Sequence, residues 1–320
     1  MIRYRPFRNT DPPAIAELWC NHPPQRFLAQ PMSIALLEQR VFGKPYFDRL
    51  GLIVAEEQRH IVGFAHGGFA SNEDGSGLTT RIGSTCMLMV ANHPQRHGTA
   101  ARLLEASERY LIERGARTLY AGSVWPANAF YLGLYGGSPS PGLLRSDTER
   151  VRLFLAAGYQ CVEEHFVMQR PLAGFRPIVD RVQMQLRRRY RVESELDPPV
   201  ESWWEACTIG QMERTCHRLV SREDDAPCGS VIFWDMERIS AAWGVRAIGL
   251  IKLQIAEHLR GQGLGTLLVG EALRHAHGAG VSIAEAQVLE ANRAAIALFA
   301  KLGFETVDRS LVLRKRVPNA

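Results

Sequence analysis

The chain has 320 residues, more than one packed core usually takes and room for two domains. Hydrophobic residues make up 46% and charged residues 22%, a composition that excludes a disordered chain. The net charge of +5 mildly favours anionic ligands. The positive charge clusters only at Arg187-Arg188-Arg189-Tyr190-Arg191, which reads as a solvated strand or loop and is too little for a nucleic-acid-binding face.

The opening stretch MIRYRPFRNTDPP lacks the apolar core of a signal peptide. No apolar segment approaches the roughly 18 residues that span a bilayer. Cys20, Cys86, Cys161, Cys207, Cys216 and Cys228 show no CxxC spacing and read as reduced thiols of a cytoplasmic protein. Cys216-His217 and His275-x-His277 lack a second ligand pair, so no metal is expected.

In chain order, the first clear element is the apolar run TCMLMVA, Thr85 to Ala91, which reads as a strand. The loop NHPQRHG follows, and then a helix with Leu103, Leu104, Tyr110 and Leu111 on one face. A turn at Arg114-Gly115-Ala116 leads to a further strand and to Asn128 in VWPAN. The stretch Gly136 to Asp147, GGSPSPGLLRSD, is loop-like in its Gly, Ser and Pro content. A short helix then closes on FLAAGY, Phe154 to Tyr159. Proline and glycine punctuate Pro171 to Pro177, and a domain boundary is expected there: 1–172 and 178–320.

The second half repeats the order. IGLIKLQIA, Ile248 to Ala256, is a strand; EHLRGQGLGTLL, Glu257 to Leu268, is a glycine loop running into a helix with Leu264, Leu267, Leu268 and Leu273 on one face. Asn292 in VLEAN and the closing LFAKLGF, Leu298 to Phe304, complete the set. Gly98 and Gly263 are 165 positions apart and Asn128 and Asn292 are 164 apart, but Gly158 and Gly303 are only 145 apart. The first copy therefore carries about twenty extra residues before its closing glycine. Such a period is too long for a solenoid and reads as two copies of one domain.

A strand, a glycine turn and a helix start form an anion site, because the first N–H groups of the helix lack intrahelical partners and its dipole is positive there. Arg260 adds a charge-assisted contact. The loop is neither GxxxxGK[ST] nor GxGxxG, so a P-loop and a dinucleotide Rossmann site are not expected.

The loops resemble the acyl-CoA pyrophosphate loop of the GNAT superfamily of N-acyltransferases, [QR]-x-x-G-x-[GA]. Here it reads Gln95-Arg96-His97-Gly98-Thr99-Ala100 and Arg260-Gly261-Gln262-Gly263-Leu264-Gly265. NRAAIALFAKLGF from Asn292 resembles the family's later signature, and IRYRPFRNTDPPAIAELW and LIVAEEQRHIVGFAHGGF resemble its opening strands and helix. The likeness is weakest between 178 and 228. It implies an α+β fold: two domains, each a mixed, mainly antiparallel sheet flanked by helices on both faces. It implies acetyl-CoA as acyl-donor substrate, with backbone groups near Val90 or Ile255 on its pantetheine arm. Loop groups through Ala100 and Thr266, with Asn128 and Asn292, complete the donor-binding set. The acceptor is read as a small-molecule amine that attacks the thioester directly. A non-catalytic acyl-CoA sensor and a protein or peptide N-acetyltransferase are the alternatives. The sequence is compatible with a homodimer.

The family's thiolate-protonating tyrosine follows the asparagine by seven positions. That position is Tyr135 in the first copy and Phe299 in the second, so the resemblance puts the chemistry in the first copy, with Tyr131 as a second candidate. A different register remains open, in which DTERVRLFLAAGY supplies the closing helix, Asp147 replaces the asparagine, Phe154 replaces the tyrosine, and Gly136 to Leu144 form a substrate lid. The base is undetermined among Glu56, Glu57, His66 and a water relay, and His66 is retained as a candidate.

Overall fold

The computed structural model describes residues 1–139 and 142–318; residues 140 and 141 of the expected lid, and the last two residues, lie outside it. The first half runs β1 (Arg3–Pro6), α1 (Pro12–Cys20), α2 (Ile34–Leu37), β2 (Leu52–Glu57), β3 (His60–Ser71), β4 (Leu78–Val90), α3 (Arg96–Glu113), β5 (Thr118–Ala121), β6 (Leu143–Leu144), α4 (Thr148–Ala156) and β7 (Gln160–Pro171). The second half runs α5 (Arg181–Arg189), β8 (Tyr190–Leu196), α6 (Trp203–Thr208), β9 (Arg214–Ser221), β10 (Pro227–Asp235), α7 (Glu237–Ser240), β11 (Ala247–Ile255), α8 (Leu264–Gly278), β12 (Ile283–Leu289), α9 (Arg293–Lys301) and β13 (Glu305–Arg316). The basic run 187–191 is not a loop: its first three arginines form the last turn of α5 and the rest opens β8.

The strands form one continuous sheet in the order β1-β2-β3-β4-β5-β13-β7-β12-β11-β10-β9-β8. Most neighbours are antiparallel; β4–β5 and β11–β12 are parallel. The order carries an exchange. The last strand of the chain, β13, lies between β5 and β7 of the first half, and β7 lies against β12 of the second. Each half thus lends its closing strand to the other.

Helical periodicity explains the two long helices. Leu103, Leu104, Ser107 and Leu111 of α3 are buried against β2, β3 and β4. Gly83 permits that approach, since a Cβ there would meet the Leu111 side chain at 2.9 Å. Leu264, Leu267, Leu268, Ala272, Leu273 and Ala276 do the same for α8. The face of the second half's sheet away from α8 has no core of its own: Trp204, Met212, Trp234, Met236, Ile239 and Ala247 join the first half's apolar cluster. Among the described residues no helix is long and apolar enough to cross a membrane.

Candidate active site

Both glycine loops follow a strand that has lost a neighbour. β4 pairs with β5 only from Ile82 to Thr85, and Cys86–Val90 run on after β5 ends. β11 pairs with β12 only from Ala247 to Gly249, although both strands continue, so the two diverge. The opened edges face no strand; on β11 the Leu250 and Ile255 carbonyls accept from Ser138 Oγ at 3.3 Å and from Arg260 Nε at 3.2 Å.

The helices beyond the loops are uncapped. Helices α2, α4, α5, α6 and α9 start with a side-chain cap from Ser33, Asp147, Asp180, Ser202 and Asn292. Helices α3 and α8, which start at Gln95 and Gly263, have none. Their first N–H groups can therefore serve an outside anion. Gly263 has φ of 87°, which glycine adopts without strain, and its carbonyl accepts from Gln183 Nε2 at 3.2 Å. Arg260, Gly261 and Gln262 are exposed, and Arg260 Nε donates to the Ile255 carbonyl at 3.2 Å. The side chains of Leu264 and Thr266 are buried, so these residues offer only backbone. In the first loop Gln95, His97 and Gly98 are exposed, and nothing lies within 4 Å of a Cβ built on Gly98. Thr99 is buried, with its hydroxyl on the Gln95 carbonyl at 3.0 Å. Arg96 is ion-paired with Glu149 of α4.

The two asparagines part company. Asn292 caps α9 by accepting from the Ala295 N–H at 3.1 Å. Asn128 caps nothing; it lies in a loop, 9% exposed, and accepts from Trp204 Nε1 at 3.1 Å. The helix cap in the first half is Asp147, which accepts from the Arg150 N–H at 3.4 Å and pairs with the Arg150 guanidinium at 2.5 Å. The tyrosine's place on that helix is taken by Phe154, 1% exposed.

Tyr135, Tyr131 and His66 are core residues. Tyr135 is 2% exposed; its hydroxyl donates to Asp147 Oδ2 at 3.0 Å and accepts from the Leu144 N–H at 3.2 Å. Tyr131 Oη lies 3.0 Å from His66 Nδ1, and His66 is wholly buried. Burial pushes His66 down to about 3 and both tyrosines up, so all three stay neutral at pH 7. His66 also packs against Phe130 at 4.2 Å and Phe47 at 5.5 Å between ring centroids. This aromatic cluster fills the sheet face away from α3, where Gly67 turns toward Leu111 of α3 and His66 turns away. The first half keeps a smaller groove of about 240 Å³ along Leu88–Val90, lined by Arg96, His97 and Ala100.

The second half has a cleft of about 510 Å³ where β11 and β12 diverge. Ile251 and Lys252 of β11, Gln287 of β12 and His165 of β7 lie at its floor. Glu205 of α6 forms one wall; Val124, Trp125, Leu132 and Pro139 of the first half form the other. The Gly136–Pro139 stretch thus overlies the second half's strands rather than the first half's loop. The Gly136 carbonyl accepts from Gln287 Nε2 at 2.7 Å, and the Ser138 N–H donates to Glu285 Oε1 at 2.8 Å. Glu285 is fully buried, and burial raises its carboxyl to about 7 against the pull of Gln169 and Ser138. Desolvation lowers His165, partly offset by Glu163. Sequence reasoning passed over His165, Glu205 and Glu285. A lone carboxylate in the apolar run VSIAEAQVL was the one signal of a special environment.

The profile of the acetyltransferase (GNAT) family matches the chain twice, at residues 13–136 and 181–304. A tandem GNAT protein from the clavulanic acid biosynthesis pathway, solved without AcCoA, superposes with a TM-score of 0.67 over all of both chains at 16% identity. A GCN5-related glucosamine N-acetyltransferase region of a fungal multi-domain GH3 β-N-acetylglucosaminidase gives 0.71 at 16% identity, over 98% of this chain and 38% of its own. A GCN5-related N-acetyltransferase from Sphaerobacter thermophilus gives 0.63 at 16% identity, over 100% and 96%. No curated relative matches the chain.

Proposed function

Because the chain belongs to the acetyltransferase (GNAT) family, we propose that it moves an acetyl group from acetyl-CoA to the amine of a small molecule, with the transfer carried out in its second half. The observation that carries this reading is the divergence of β11 and β12 past Gly249 and Glu285. It opens a cleft on the sheet face away from α8, and the uncapped start of α8 follows the same strand. In the first half the corresponding space is aromatic core.

In this reading the N–H groups at Gly263–Thr266 and the Arg260 side chain hold the donor's pyrophosphate. The β11 edge between Leu250 and Ile255, whose own carbonyls accept from Ser138 Oγ and Arg260 Nε, pairs with the pantetheine arm. The arm places the thioester carbonyl at the cleft, and positioning supplies much of the rate. The amine nitrogen attacks that carbon. A C–N bond forms, the C–S bond breaks, and CoA leaves as the thiolate. The nitrogen attacks as the neutral amine: an ammonium group first gives one proton to a base, and after attack the nitrogen gives up a second while the thiolate gains one. His165, neutral at pH 7 and facing the cleft, is suited to accept the amine's proton. Phe299, buried at 4% exposure, has no proton to donate, so water in the cleft protonates the thiolate.

The aromatic filling favours a second reading for the first half alone: an acyl-CoA-binding copy without turnover, using Gln95 to Ala100 and the edge at Val90. The walls of the cleft favour a small acceptor over a protein or peptide chain. Six unpaired cysteines and the lack of a membrane-spanning helix among the described residues support a cytoplasmic setting.

The test compares Gly98→Trp with Arg260→Glu, since Gly98 has free space for a side chain and Arg260 is exposed. Calorimetry gives acetyl-CoA stoichiometry and a thiol-release assay gives turnover. The reading expects Arg260→Glu to raise the KM for acetyl-CoA and Gly98→Trp to leave turnover unchanged. Loss of turnover in Gly98→Trp alone would return the chemistry to the first half.

A further inference from the structure

We propose that the cleft between the halves is built for a protonated primary amine carried on an apolar, ring-sized body, with Glu205 and Gln287 as its polar anchors and Trp125 as its lip. The proposal rests on the acetyltransferase reading and names its acceptor class.

Three observations converge. The first is composition and size. Val124, Leu132, Ile209, Met212, Ile232 and Ile251 give the cleft apolar walls, and its 510 Å³ falls within the range of small-molecule sites. An acceptor made only of charges or hydroxyls would strand this surface.

The second is the state of the polar groups. Glu163 lies 3.4 Å from His165, and Glu201 pairs with Lys252 at 3.3 Å. The Arg214 guanidinium is turned to the Pro198 carbonyl at 2.8 Å. Glu205 accepts from the Glu201 N–H at 2.9 Å and has no counter-cation among the described residues. It is half-buried, so a cation docking there meets reduced solvent screening. On the floor, Gln287 commits its Nε2 to Gly136 and leaves Oε1 buried with no hydrogen-bond partner. A buried acceptor without a donor is costly unless a ligand supplies one. Arg214 Nε, also in the lining, is a buried donor without a partner; among the described residues the carboxylate of the lining left without a cation is Glu205, and an ammonium group offers it only donors.

The third is Trp125, 65% exposed at the mouth although it is one of the largest apolar side chains. An indole left in water beside a cleft can cover a ring or attract a cation to its face. These features also make the site composite: Glu205 and Gln287 come from the second half, while Trp125 and Leu132 come from the first.

The experiment titrates 2-phenylethylamine, and 3-phenylpropionate as its anionic counterpart, into the full chain with and without saturating CoA. Tryptophan fluorescence and calorimetry read binding, and thiol release from acetyl-CoA reads turnover. The variants are Glu205→Gln, which keeps an acceptor for the Glu201 N–H, and Trp125→Ala at an exposed position. Saturable binding of the amine but not the acid, weakened at least about tenfold by Glu205→Gln and also by Trp125→Ala, supports the proposal. Equal binding of the acid, or an unchanged amine affinity in Glu205→Gln, overturns it. If neither probe binds while glycylglycine is acetylated, the acceptor class is wrong and the acetyltransferase reading stands. If the amine binds as expected and no acceptor releases thiol, the site stands and the acetyltransferase reading fails.

Discussion

The backbone N–H of Ser138, from the first half, donates to Oε1 of Glu285, from the second, at 2.8 Å inside the protein. Gln169 Nε2 holds the other carboxyl oxygen at 2.7 Å. The first half's insert is thereby fastened over the point where β11 and β12 part. Burial raises the Glu285 carboxyl to about 7 from an ordinary 4.5. The folded state thus resists ionisation that the unfolded chain undergoes. The stability tied to this group is fully present below about pH 4.5 and is lost as pH rises through about 7. We expect Glu285→Gln to remove this dependence. Melting temperature from pH 5 to 8 should fall in the parent relative to the variant, by an amount equivalent to a few kcal/mol at most. Parallel curves would show that Glu285 ionises freely in the fold.

We expect Tyr131 and Tyr135 to serve stability rather than chemistry. Each hydroxyl is buried in a hydrogen bond, to His66 and Asp147 respectively. Tyr131→Phe and Tyr135→Phe should each cost about 1–3 kcal/mol in denaturant unfolding, with kcat within twofold of the parent. A hundredfold fall in kcat for either, with stability retained, would restore it as a proton donor.

The helix cap of the first half tests the register directly. Asp147→Ala removes the α4 cap and strands the buried Arg150 charge, so a loss of about 3–5 kcal/mol is expected. Asn128→Ala leaves only the Trp204 indole N–H without a partner and should cost about 1–2 kcal/mol. The reverse ranking in thermal unfolding would put the cap at Asn128.

Desolvation lowers His165 below the usual histidine value. A neutral imidazole is the form that accepts a proton, so the rate should hold through pH 7 and drop only below the ordinary histidine range. His165→Gln should flatten that acid limb and lower kcat by roughly 10²–10⁴-fold. An acid limb unchanged in the variant would assign it to another group.

The exchanged strands make the halves interdependent. Expressed alone, residues 1–176 would leave β5 and β7 each with an open edge where β13 belongs. Open edges of this kind invite aggregation. We expect the fragments 1–176 and 177–320 to be insoluble separately and to form a 1:1 complex when co-expressed, judged by size-exclusion chromatography. Two soluble monomeric fragments would refute the interdependence.

Several features were legible in the chain because near neighbours encode them. The glycine loops and the faces of α3 and α8 depend on residues a few positions apart, and turn chemistry and helical period act at that range. The two-fold repeat was visible for the same reason. Asn128 misled because its spacing from Tyr135 copies the family pattern, while the insert moves the closing helix to Thr148 and leaves Asp147 to cap it. Residue types alone left both registers open. Only packing decides that Asn128 meets Trp204, that Tyr131 and His66 are sealed beneath Phe130, and that β13 threads between β5 and β7. Each joins segments tens to hundreds of residues apart. No local preference records such pairings, because they form only when apolar faces and strand edges from both halves find one arrangement that buries them together.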